Sequence, residues 1–93
     1  MMVGVLRVDL SIGDAQSLKD KRRVLKSIKD RLSNTFNVSV AEVDEKDAWQ
    51  RAVLGIAMVG DDGRYVHGGL DRIVDWLRRQ RGVSLIDFEK ESR

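Results

Sequence analysis

The sequence predicts an α+β domain, a four-stranded antiparallel sheet with two helices packed on one of its faces. Three observations predict it. Hydrophobic periodicity switches between two and about 3.6 residues several times along the chain. No proline, serine- or glycine-rich run or internal repeat marks a linker. With 93 residues, 42% hydrophobic and 34% charged, there is material for one small core, so residues 1–93 are expected to form a single domain.

The elements follow in order. In VGVLRVDL, Leu6, Val8 and Leu10 alternate with Val5, Arg7 and Asp9, the pattern of a strand with one core-facing side. From Ser17 the period lengthens: Leu18, Leu25, Ile28 and Leu32 fall on one helical stripe, and Ser17 with Asp20 predicts a capping box. NVSVAEV is rich in β-branched residues and reads as a second strand. Between Trp49 and Met58, residues Ala52, Leu54, Ile56 and Met58 share one face and Val53, Gly55, Ala57 and Val59 the other, which suits an inner strand. GDDG at Gly60 to Gly63 is a turn leading into a second helix. In that helix Val66, Leu70, Ile73 and Leu77 repeat with helical spacing, and its end is expected near Gly82. VSLIDFE closes the chain as a fourth strand. The order βαββαβ is the ferredoxin-like arrangement, which covers one face of the sheet with helices and leaves the other bare.

Charge is unevenly placed. Ser17 to Leu32 holds seven basic and two acidic side chains, a net of +5, while the remainder of the chain nets −3. Relative to Leu18 on a helical wheel, Lys29, Arg22, Lys26, Lys19 and Arg23 lie at roughly 20°, 40°, 80°, 100° and 140°, one arc of about 120°. Lys21 and Arg31 are expected at its flanks. Like charges four residues apart, as in Lys19 with Arg23 and Arg22 with Lys26, cost a few tenths of a kcal/mol each. Cations in the first turn also oppose the helix dipole. A stripe retained against both penalties points to an anionic partner, RNA first, read by phosphate neutralisation rather than by sequence. Base stacking on the sheet is not expected, because the inner strands offer valine, alanine and glycine instead of aromatics.

Three segments, DAQSLKDKR, NVSVAEV and DAWQRAVLG, resemble the hallmark stretches of the YlxP-like bacterial proteins, and the similarity covers most of the chain. The resemblance implies a ferredoxin-like fold and an unknown function. Genes of that family often lie beside those for translation initiation factor 2 and ribosome-binding factor A, which implies work near the small ribosomal subunit.

Other chemistry finds little support. Without cysteine there is no disulfide, thiolate nucleophile or cysteine zinc site. One histidine, His67, makes neither a triad nor a zinc centre, and the glycines lack a phosphate-loop pattern. No cofactor, metal or catalytic residue is therefore expected. Trp49 is expected to cap the core, with a partner contact as the competing role; Trp76 is expected at a helix margin. The opening MMVGVLRVDL carries Arg7 and Asp9 and reads as no signal or membrane segment, so a cytoplasmic protein is expected. A domain this small buries only about 60–65% of its unfolded surface. A homodimer through the bare sheet face or by strand-edge pairing is accordingly expected. The competing function is a protein-interaction module acting through that face, with the basic helix merely solvated.

Overall fold

The structure is a computed structural model that describes residues 1–93. Its elements are β1 (Met2–Ser11), α1 (Leu18–Thr35), β2 (Val38–Asp44), β3 (Arg51–Gly60), α2 (Gly63–Arg78) and β4 (Ser84–Ser92). All strand pairs are antiparallel, in the spatial order β2-β3-β1-β4. This is the ferredoxin-like α+β sandwich that the periodicity predicts.

Each helix begins where its cap allows. Ser17 is extended, and its hydroxyl accepts a hydrogen bond from the Asp20 amide at 3.1 Å. The Asp20 carboxylate accepts from the amide of Gln16, one residue beyond the box position, at 3.0 Å. Asp62 caps α2 by accepting from the Arg64 amide at 2.8 Å. That helix stops at Arg78 rather than near Gly82, because the residues after Leu77 turn: Gln80 donates to the Leu77 carbonyl and Gly82 adopts φ +86°. Strand β3 starts at Arg51, two residues later than Trp49, because the segment 45–50 is a loop.

Leu6, Val8 and Leu10 of β1 and Ala52, Leu54, Ile56 and Met58 of β3 are all at most 2% exposed and meet the helices. From above, α1 contributes Leu25, Ile28 and Leu32, and α2 contributes Leu70, Ile73, Val74 and Leu77. Helix α2 lies close to the sheet because glycines face it. A Cβ at Gly69 would stand 2.5 Å from the Met58 sulfur, and one at Gly4 would overlap Val66. The adjacent glycines therefore do not break α2; Gly69 is where its backbone settles onto β3.

The other sheet face carries no element. Bulges decide what it displays. Between Glu42 and Asp44 the β2 register shifts so that Asp44 lies opposite Val53, and between Asp9 and Leu10 a shift sets Asp87 opposite Asp9 while Leu85 stays opposite Leu10. Each extra residue turns an acidic side chain onto the bare side.

Candidate nucleic-acid interface

Helix α1 is fastened on two sides, and these fix the direction of its charged face. On one, Arg31 reaches α2: its guanidinium stacks 5.5 Å from the centre of the Trp76 ring and donates to the Gln80 side-chain oxygen. Trp76 in turn meets Phe36 edge-on at 6.3 Å, so it sits at the helix margin as expected. Beneath, Lys21 points at the sheet. Arg31 lies at roughly 220° on the wheel and the basic arc centres near 80°, so the arc faces away from α2, out over the edge strand β2.

Lys19, Arg22, Arg23 and Lys26 on that arc are exposed, and Lys29 is half-buried. Lys26 pairs with Asp30 at 2.8 Å, and this hydrogen bond and the neighbouring charge hold the Lys26 ammonium above its ordinary pKa. Lys19, Arg22, Arg23 and Lys29 enter no salt bridge. A shallow hollow of about 370 Å³ opens between Arg23, Lys26, Ser27, Asp30 and Arg31, with no apolar residue in its lining. The stripe can thus present four unpaired cations and one shared one to a polyanion.

Lys21 is not a flank of this stripe. It is 1% exposed, with its ammonium 2.8 Å from Glu42 Oε2 and donating to the Glu45 carbonyl at 2.7 Å. Its wheel angle of roughly −60° falls between Ile28 and Leu32, inside the apolar stripe, and that angle is the sequence signal for burial. Arg31 is likewise engaged by α2, so five of the seven cations remain to face outward.

Trp49 does not cap the core; it is 53% exposed. Its neighbour holds the loop instead. The Gln50 side chain donates to the carbonyls of Gly13 and Ala15 at 3.2 and 3.0 Å, and the Gln50 backbone carbonyl accepts from the Ile12 amide at 2.9 Å. Trp49 is left on a fixed backbone at the α1 N-terminal end of the molecule, beside a shallow hollow of about 420 Å³. His67 is exposed, with Nε2 2.8 Å from the Ser92 hydroxyl.

The bare face has a different character. Val43, Gly55, Ala57 and Val5 form an apolar strip across β2, β3 and β1, and Asp9, Asp87, Glu89 and Glu91 form an acidic column toward β4. Arg7, the register partner of Gly55, stands between them and turns toward Asp44, 3.2 Å away. The Glu45 amide and Arg7 together hold the Asp44 carboxyl below the usual carboxylate range. Glu91 pairs with Arg93 at 2.6 Å, whereas Asp9, Asp87 and Glu89 make no salt bridge.

A ferredoxin-like domain with a cationic helix on one side and a mixed apolar and acidic sheet on the other defines the class. Comparison with known sequences places it further. Residues 3–90 match the family described as "Protein of unknown function (DUF503)". Over 76 residues the chain is 41% identical to the uncharacterized protein YlxP of Bacillus subtilis (strain 168), covering 82% of this chain and 83% of that protein. The chain belongs to this YlxP-like family, whose function is not known.

Proposed function

We propose that the protein acts in the cytoplasm, by binding rather than catalysis, and that its ligand is RNA or a ribonucleoprotein surface such as the small ribosomal subunit, held by phosphates along α1. One observation carries the reading: Lys19, Arg22 and Arg23, exposed, and Lys29, half-buried, share one helix flank without salt-bridge partners, while unpaired carboxylates stand on the opposite face of the sheet. A helix whose charges served only solubility would intersperse signs and pair them at spacing four; α1 does so once, at Lys26 and Asp30. Trp49 extends the binding surface at the N-terminal end of the helix. The apolar strip on the bare face favours a second reading, a protein-interaction module.

The test compares charge reversals on α1 with reversals on and just beyond α2. Arg22→Glu with Arg23→Glu removes two unpaired cations from the stripe. Arg72→Glu with Arg79→Glu makes the same charge change at exposed sites elsewhere. Binding to a labelled RNA hairpin and to small ribosomal subunits is measured across a salt series. The α1 variant is expected to bind more weakly and to lower the salt slope by about 0.7–0.9 for each phosphate it no longer neutralises. The control is expected to bind nearly as the wild type does. Equal weakening in both variants would reduce the effect to net charge, and unchanged binding would leave the stripe a solvated face.

A further inference from the structure

The bare sheet face points away from both helices, and RNA held along α1 would make no contact with it. Its apolar strip crosses three strands, β2, β3 and β1, a width of about 10 Å at the usual strand spacing. That matches the diameter of one α-helix, about 10–12 Å with side chains. The strip is hollow at Gly55. A groove of about 650 Å³ opens there, lined by Val5, Val43 and Gly55, by Glu89 and Glu91, and by Arg7, Lys90 and Arg93, each of which is already paired with a carboxylate; a second of about 300 Å³ adjoins it over Ala41 and Ala57. Val43 and Val59 remain 48% and 49% exposed.

The charge beside the strip selects the occupant. Glu89 is the register partner of Arg7, but Arg7 is engaged by Asp44, and Asp9 and Asp87 face each other directly. Like charges opposed across a strand pair repel, and three carboxylates there lack a cation. We propose that this face docks an amphipathic helix of another protein, its apolar stripe on β2, β3 and β1 and lysines or arginines along the one flank that meets Asp9, Asp87 and Glu89. RNA would be repelled by the same column. A second copy fits less well. Its α1 is cationic, but the apolar stripe of α1 is already buried in its own core. A two-fold stack of whole faces with its axis across the strands would set acidic column on acidic column; with the axis along the strands it would set acidic column on apolar strip.

Two synthetic helical peptides test this: one with a leucine stripe flanked on one side by lysines, the other with glutamates in place of those lysines. Affinity is read by fluorescence anisotropy at physiological salt, and the binding surface is mapped by amide chemical shifts. The lysine peptide is expected to bind at least tenfold more tightly than the glutamate peptide, with shifts concentrated on β1, β2 and β3. Asp87→Lys with Glu89→Lys changes exposed side chains only, and Ala57→Arg blocks the strip; each is expected to weaken the lysine peptide at least tenfold. The double lysine variant keeps the test decisive should Ala57→Arg fail to fold. Absent binding, equal affinity for both peptides, shifts centred on α1 or α2, or indifference to the double variant would overturn the proposal. So would a stable homodimer that Ala57→Arg splits, since a second copy would then be the occupant.

Discussion

Lys21 shows how one side chain in a charge run can work against the run's apparent purpose. An ammonium 1% exposed is costly to hold in a protein interior, and here it is met by the Glu42 carboxylate and the Glu45 carbonyl. The Glu42 oxygen lies off the hydrogen-bond direction, so that contact is an ion pair, while the carbonyl supplies the hydrogen bond. Glu45 has φ 56°, a left-handed turn that aims its carbonyl at the helix. Removing Lys21 alone strands a mostly buried carboxylate. Lys21→Ala is expected to lower unfolding free energy by about 3 kcal/mol, the low end for breaking a buried pair, because Glu42 keeps part of its surface in water. Lys21→Met with Glu42→Leu is expected to return to within about 1 kcal/mol of the wild type. Urea titration of Lys21→Met, Glu42→Leu and the double closes the cycle; a drop below about 1 kcal/mol in Lys21→Ala would mean its ammonium reaches water. Both residue-scale departures were legible in the sequence. Lys21 lies on the apolar side of the wheel, and Trp49 follows the polar run Asp44 to Asp47, which marks a turn. Tryptophan's large apolar area argues for burial, but its place in the loop before β3 leaves it outside the core.

At the scale of elements, α2 and β3 show the same contest between local preference and packing. Two adjacent glycines weaken a helix by about 1 kcal/mol each relative to alanine, yet α2 is continuous from Gly63 to Arg78. The reason differs at the two positions. Gly69 is buried against Met58, whose sulfur and methyl would be 2.5 and 2.7 Å from an added Cβ, whereas at Gly68 the nearest atom is the mobile end of Arg72 at 3.4 Å. Gly68→Ala is therefore expected to raise stability by about 0.5–1 kcal/mol through helix propensity alone. Gly69→Ala is expected to lower it by about 1–2 kcal/mol, overpacking exceeding the same propensity gain. Thermal unfolding of the two variants checks the opposite signs, and a stabilised Gly69→Ala would mean that the Met58 side chain yields freely. Helix and strand identities were legible because period alone sets them. The close approach was not, since it depends on which residue of β3 lies under which turn of α2.

Across the whole molecule, charge that is legible locally differs from charge that only the fold assembles. The basic arc lies within one helix and is visible on a wheel, but the acidic column joins Asp9 of β1 to Asp87 and Glu89 of β4, residues nearly a chain length apart. Only the β2-β3-β1-β4 order and the bulge before Leu10 bring them together. The result is a domain of formal net charge +2 whose two sides carry opposite unpaired charge. Such a molecule should attract its own copies side to back. That association is heterologous and does not close, so weak chains rather than a defined dimer are expected. Light scattering separates this from simple net-charge behaviour by sign. A uniformly cationic protein repels itself most at low salt, and its osmotic second virial coefficient falls as salt is added. Here the coefficient is expected to start negative near 0.01 M salt, where the Debye length is about 30 Å, and to rise toward 0.15 M, where it is about 8 Å. Arg22→Glu with Arg23→Glu removes one pole and should abolish the low-salt attraction. Two reversals take the formal net charge from +2 to −2, the same magnitude, so repulsion from net charge alone would be unchanged. A coefficient that is positive at low salt and falls steadily would show that the two poles do not meet.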